Sequence, residues 1–318
     1  MSCIAVTFRH VRDRAGTPLA AIRGLGVADF EHRLDLLCER LRPIEWANLR
    51  SWLDRRTEIA NDRFLLTFDD GLSDHAEVVA PILRRRGIRA VFFVQGEPLE
   101  SGQMADHHLA DILRCTLGDR EFGQAVLAWL AERTPHQDWN VRIRPREAAE
   151  IYRGESPMRA RFNYLLSHGL PLNVRGRMLN DLFTRHVGDP REWAARWYIT
   201  RDDLKRLEAD GHTIGGHGFW HEFYTRLDAT DQTRDLARVF TLLRDHLGPG
   251  SRPFSYPHGS CGELTARTCA AAGFVHAFGG GPGWITRGTD VFQLPRVEAM
   301  DVERFLAAPV SGELRSSP

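Results

Sequence analysis

The feature that narrows this chain most is a strand, helix, strand rhythm in its first third. Phe64 to Phe68 is a short apolar run, and Ala90-Val91-Phe92-Phe93-Val94 is another. Between them His75 to Arg86 reads as a helix, with Pro81 marking a first turn and Gly87 stopping it. Buried strands alternating with helices are the order expected of parallel βα units, hence of a barrel-like or doubly wound α/β fold.

The same rhythm is legible at both ends of the chain. Cys3 to Phe8 is apolar enough for a buried strand ending near His10, and Asp29 is an N-cap candidate for a helix whose stripe is Phe30, Leu34, Leu37 and Leu41. Further on, Thr200-Arg201-Asp202-Asp203 has the character of a capping box, with Leu204 and Leu207 facing inward and Gly211 as terminator. His212 to Gly216 reads as a strand, a helix carries Leu236, Val239, Phe240, Leu243 and Leu247, and Phe254 to Pro257 and Val291 to Leu294 supply later strands. From about residue 100 to 195 the rhythm breaks into Arg-, Trp- and His-rich sequence with short Leu pairs, which predicts a mostly helical insertion. A lid, a substrate-selecting subdomain, an inert decoration and an oligomer contact all fit that segment. Gly279 to Gly283 lacks both phosphate-loop patterns and reads as a plain loop.

Composition bounds the partners. With 318 residues, 42% of them apolar, the chain can bury the core of one large α/β domain or two smaller ones. Its 42 basic and 42 acidic residues are mixed along the sequence, which leaves no electrostatic footprint for nucleic acid. No run approaches the roughly 20 apolar residues of a membrane span, and Met1-Ser2-Cys3-Ile4-Ala5-Val6 lacks the form of an export signal. Five cysteines without C-x-x-C spacing argue against a disulfide framework. A soluble chain in a reducing cytoplasm is the expectation; the oligomeric state is left open.

Chemistry enters at the end of the first apolar run. Thr67-Phe68-Asp69-Asp70-Gly71 puts two acids after a buried strand, where the active sites of parallel α/β folds gather. Far downstream, His217-Gly218-Phe219-Trp220-His221 puts two imidazoles after another strand, on a loop because the glycines argue against a helix. One carboxylate and two neutral imidazoles make a facial ligand set for a divalent metal, and a second, diverging carboxylate stays available as a base.

These motifs resemble those of the polysaccharide deacetylases of the NodB-homology type, carbohydrate esterase family 4. Thr67 to Gly71 matches the family's first motif in full and His217-x-x-x-His221 its second, the similarity extending from Ile82 to Val94 and from Leu204 to His221. The resemblance implies a single domain over residues 1–318, a distorted (β/α) barrel of about seven repeats with the helical insertion outside the match. It further implies a divalent metal held by Asp70, His217 and His221, with Asp69 as general base. Zinc is the first choice of metal, with Co, Ni, Mn and Fe also compatible with mixed N/O ligation.

Elsewhere the chain departs from the family pattern. Gly218 stands where the family has Ser or Thr, which predicts a looser loop with metal binding intact. Aligning Pro257-His258-Gly259 with the third motif puts Ser255 where the family has the Arg that orients the base, so Arg296 after Leu294-Pro295 is the candidate replacement. The N–H of His258 or its neighbour is then the oxyanion donor, and Tyr256 packs the groove. The C-terminal Leu-x-His that would supply the general acid is absent, since no His follows His276, and Leu166-Ser167-His168 falls in the wrong order. His258 and His10 are the candidate acids, and Trp220 and Trp284 the candidate sugar-stacking rings.

The expected function is a cytoplasmic metal-dependent hydrolase removing an N-acyl group, N-acetyl first, from an amino sugar in a glycan precursor or a nucleotide- or lipid-linked sugar. Two alternatives stand beside it: a cyclic amide or ureide amidohydrolase of the same fold, and a catalytically silent carbohydrate-binding or scaffold protein.

Overall fold

The computed structural model describes residues 2–13, 16–17, 19–20, 22, 24–60 and 62–307. They fall into two compact units, one of Met1–Asp13, Gly24–Leu99 and Ile199–Pro318, the other of Arg14–Arg23 and Glu100–Tyr198.

The first unit carries all the named strands: β1 (Cys3–Phe8), β2 (His10–Val11), β3 (Gly24–Leu25), β4 (Arg42–Pro43), β5 (Arg63–Phe68) and β6 (Ala90–Val94), then β7 (Thr213–Gly216), β8 (Phe254–Ser255), β9 (Ala277–Gly280), β10 (Leu294–Pro295) and β11 (Val297–Glu298). The main sheet runs β10-β9-β8-β7-β6-β5-β1-β11, every pairing parallel, with β4 beside the start of β5. It curls into a nearly closed barrel. A backbone bridge between Cys3 and Ile285 joins the amino end of β1 to the segment leading into β10, and Arg296 alone links β10, paired to β9, with β11, paired to β1.

Strand parity sorts the core. Ile4, Val6 and Phe8 of β1 and Phe64, Leu66 and Phe68 of β5 face a helical layer that includes Phe30, Leu34, Ile82, Leu204, Leu236 and Val239. Cys3, Ala5 and Leu65 face the other way, into a second cluster with Val91, Phe93, Phe278 and Leu294, to which the helix Trp46–Leu53 adds Trp46, Leu49 and Trp52. Because the side-chain period is 2, Thr7, Thr67 and Asp69 point into the barrel mouth.

Most local expectations correspond to an element. The helix Arg201–Ala209 starts on a reciprocal Thr200–Asp203 capping box. Gly87, at φ 65, ends the helix Ala80–Arg86, which has Pro81 in its first turn and is preceded by a widened π-helical turn at His75–Val79. One strand is displaced: Val291 to Gln293 form a turn, because Asp290 accepts from the N–H of Phe292 (2.9 Å) and its carbonyl from that of Gln293 (3.0 Å), so the strand begins at Leu294.

In the second unit the helices Asp106–Leu117, Asp119–Arg133 and Leu172–His186 enclose Leu109, Leu113, Phe122, Val126, Met178 and Phe183. No helix among the described residues is long and apolar enough to cross a membrane.

His75 gives the fold a pH dependence. Its ring lies against Phe68 and Phe92, and burial pushes the imidazolium down from 6.5 to about 4 despite the opposing hydrogen bond of its Nε2 to the Arg9 carbonyl, 3.0 Å. The unfolded chain therefore binds the extra proton first as pH falls. Stability is full above pH 6.5 and declines toward pH 4, by about 3 kcal/mol from this residue. Urea midpoints at pH 7 and pH 4.5 should converge in His75→Gln relative to wild type; an unchanged gap rules His75 out as the source.

Candidate active site

Asp69 extends the β5 ladder by one bond, its N–H donating to the Phe8 carbonyl at 2.9 Å, and then the strand breaks. Asp70 and Gly71 both take positive φ, 78° and 63°. Such a conformation is rare for a residue with a Cβ and is found where surrounding structure enforces it. It turns the Asp70 carboxylate away from the ladder, so the two neighbouring acids diverge.

Asp70 is the hub. Its Oδ1 accepts from Gln95 Nε2 at 2.8 Å and lies 3.5 Å from His217 Nε2 and 3.4 Å from His221 Nε2, while its Oδ2 is 3.9 Å from Arg9 Nε. All three candidate ligands are buried: Asp70 is 3%, His217 1% and His221 8% exposed. His217 is tied by its backbone N–H to the Val94 carbonyl (2.9 Å) and by its ring Nδ1, which donates to the Ser255 carbonyl (2.8 Å). That bond fixes the tautomer and leaves Nε2 a bare acceptor, buried without a hydrogen-bond partner and facing a carboxylate. Acceptor facing acceptor at such depth fits a cation between them, and Asp70, His217 and His221 bring one ligand atom each within 4.8 Å of one another.

Asp69 is held apart from that set. Arg296 reaches it with both terminal nitrogens, 2.8 Å to each carboxylate oxygen, and Thr7 Oγ1 lies 3.4 Å from Oδ2. Burial pushes the fully enclosed Asp69 carboxyl up, and the Arg296 guanidinium, by its charge and its hydrogen bonds, more than reverses that, leaving it below the usual carboxylate range. The bidentate geometry also fixes its orientation. The pair depends on the barrel's closure, since Arg296 is the link between β10 and β11.

His258 stands at the rim. Its φ is 58°, its ring lies 4.6 Å from that of His221, and it is exposed but stacked face to face on Phe223 at 3.8 Å.

Four expectations are corrected by placement. His10 lies one residue past the mouth-facing register and turns toward the helical layer, where Asp74 holds its Nδ1 at 3.3 Å; Arg9 is the residue that reaches Asp70. Tyr256 is 0% exposed, in contact with Phe254 and Tyr224, and so is part of the core and not a groove wall. Trp284 precedes Ile285, at the amino end of β1, and packs on Phe305; Asp69 is at the opposite strand end. The His217–His221 loop is not loose: Gly218 has φ 72°, its carbonyl accepts from the Gly96 N–H and that of Phe219 from the Glu97 N–H, both at 3.0 Å. Trp220 is half-buried beside Phe219 and Arg238, packed against the core.

Arg9, Gln95, Phe223 and Asp235 escaped the sequence reading. Parity was an available signal for two of them, since Arg9 follows Thr7 by two and Gln95 follows Phe93 by two. Asp235 carries another, an acid on the buried stripe of the helix Ala229–Leu247.

Comparison with known proteins agrees with the fold. A polysaccharide deacetylase family model matches residues 58–119 and 182–277. No curated protein matches the chain. Among solved structures, the Streptococcus pyogenes deacetylase PplD in complex with acetate is similar at TM-score 0.59 and 12% identity, over 97% of this chain and 99% of that one. A de-N-acetylase from Aggregatibacter actinomycetemcomitans is similar at TM-score 0.55 and 13% identity, covering 96% and 100% of the two chains. IcaB from Ammonifex degensii is similar at TM-score 0.56 and 15% identity, covering 96% and 97%.

Proposed function

Because the chain belongs to the polysaccharide deacetylase family, we propose that it is a metal-dependent hydrolase that removes an N-acyl group, N-acetyl first, from an amino sugar. The observation that carries this reading is the division between adjacent acids: Asp70 gathers two imidazoles, while Asp69 is aligned separately by Arg296. Asp70, His217 and His221 would hold the metal, zinc by preference, although Co, Ni, Mn or Fe suit the same ligands. When bound, it supplies Lewis acidity toward the acyl oxygen and acidifies water.

Asp69, ionised across the working range, accepts the proton of the attacking water as the acyl carbon becomes tetrahedral. Arg296 keeps that carboxylate oriented. The His258 backbone N–H donates to the developing oxyanion, and the His258 ring, at the exposed rim beside His221, returns a proton to the leaving amine. The setting is a reducing cytoplasm, a reading supported by the scattered spacing of the five cysteines, with a nucleotide- or lipid-linked sugar or another glycan precursor as substrate.

The test is metal analysis of the purified protein followed by acetate release from a panel of N-acetyl amino sugars, with cyclic amides as a parallel panel. Absence of metal sinks the reading. Metal without hydrolysis on either panel favours the silent scaffold, and turnover of cyclic amides alone favours the other amidohydrolase.

Arg296→Gln separates orientation from binding. Without the guanidinium, burial acts on Asp69 unopposed by its strongest cation and its carboxyl rises, so the acid limb of the kcat/KM profile moves to higher pH. Leaving the buried carboxylate without its partner also lowers stability by about 3 kcal/mol. An unmoved acid limb excludes Asp69 as the titrating base.

A further inference from the structure

The loop carrying both imidazoles hangs from one carboxylate. Asp235 is 1% exposed, and its Oδ1 accepts from the Phe219 N–H at 2.9 Å and from the Tyr224 hydroxyl, while its Oδ2 accepts from the Trp220 N–H at 3.0 Å. Phe219 and Trp220 lie between His217 and His221. Two adjacent amides need two acceptor atoms a carboxylate's width apart, and the two oxygens of Asp235 supply them.

The rest of the loop is fitted to that clamp. A Cβ on Gly218 would stand 3.4 Å from Asp235 Oδ1 and 3.2 Å from Pro257 Cγ, at a φ of 72° that already disfavours one. The carbonyls of Gly218 and Phe219 are held on the other side by the N–H groups of Gly96 and Glu97. His221, at φ 57°, leaves this clamped segment with its ring 4.9 Å from that of His217. The backbone between the two ligands is thus fixed from both sides.

We propose that Asp235 is a positioning residue for the metal site, setting the spacing of His217 and His221 through the two amides between them without touching either ring. The proposal rests on the metal-site reading above.

Asp235→Asn tests it at nearly constant volume, because the amide must turn its NH₂ toward a backbone N–H or the Tyr224 hydroxyl and so loses at least one of the three bonds. Zn²⁺ affinity, measured by competition with a chromophoric chelator, is expected to weaken by about 10- to 100-fold, the range for losing the support of a metal ligand. The visible spectrum of the Co²⁺-substituted protein should change, and kcat should fall with KM within about twofold. Tyr224→Phe removes only the hydroxyl donor and serves if Asp235→Asn does not fold; Zn²⁺ affinity is expected to weaken about threefold, with a smaller cobalt shift. Wild-type Zn²⁺ affinity and an unaltered cobalt spectrum in a folded Asp235→Asn, or in Tyr224→Phe if that is the variant that folds, overturn the proposal and leave the metal reading standing. A wild-type protein that takes up neither ion overturns both.

Discussion

Asp69→Asn is expected to lower kcat by about a thousandfold while leaving the metal content and KM near those of the wild type. The magnitude is that of a general base removed from a site otherwise intact, roughly 10²- to 10⁴-fold. The amide is isosteric and keeps a carbonyl oxygen for Arg296, which bonds both Asp69 oxygens at 2.8 Å, so the scaffold stays in place while the proton acceptor disappears. Metal content distinguishes this from trivial damage. A variant that turns over within tenfold of wild type would remove Asp69 from the mechanism, and one that loses its metal would make it a ligand.

His217→Ala should show the opposite signature. A four-ligand structural zinc site in a small peptide is worth about 10–16 kcal/mol, so one ligand carries about 3–4 kcal/mol, a factor of several hundred in affinity. The truncation leaves His221, at 3.4 Å, as the remaining imidazole of the pair on Asp70 Oδ1, and the Ser255 carbonyl loses its donor. Metal lost on dialysis, with acetate release falling to background, is the expected result. Stoichiometric metal retained after dialysis against a mild chelator would exclude His217 from the ligand set. Taken together, the two variants separate the roles that adjacent acids and distant imidazoles play.

What could be seen in the sequence followed the range of the interactions. Short buried strands and capped helices are local, and the runs Phe64 to Phe68 and Ala90 to Val94 carried the parallel fold with them. The two motifs placed Asp69, Asp70, His217 and His221 at strand ends, and Arg296 was legible as the residue after Leu294-Pro295. His10, Tyr256 and Trp284 misled because a side chain's role depends on which face of the strand it takes and which end of the barrel it occupies. Alternation along β1 sends Arg9 to the mouth and His10 to the helices, and following a strand by position alone does not tell the two faces apart. Gly218 misled for a different reason. Glycine suggests freedom when read alone, yet here it is the residue that lets the backbone sit against Asp235 and Pro257.

The pairing of Asp69 with Arg296 spans 227 residues, and it forms through the link between the barrel's two edge strands. During synthesis Asp70, His217 and His221 emerge well before that link does. A partly made chain can therefore bring those three side chains together while Asp69 still lacks its guanidinium. On the proposed mechanism, hydrolytic competence would arrive only when the last strands close, which would make barrel closure the maturation step and tie activity to completion of the chain's long-range contacts.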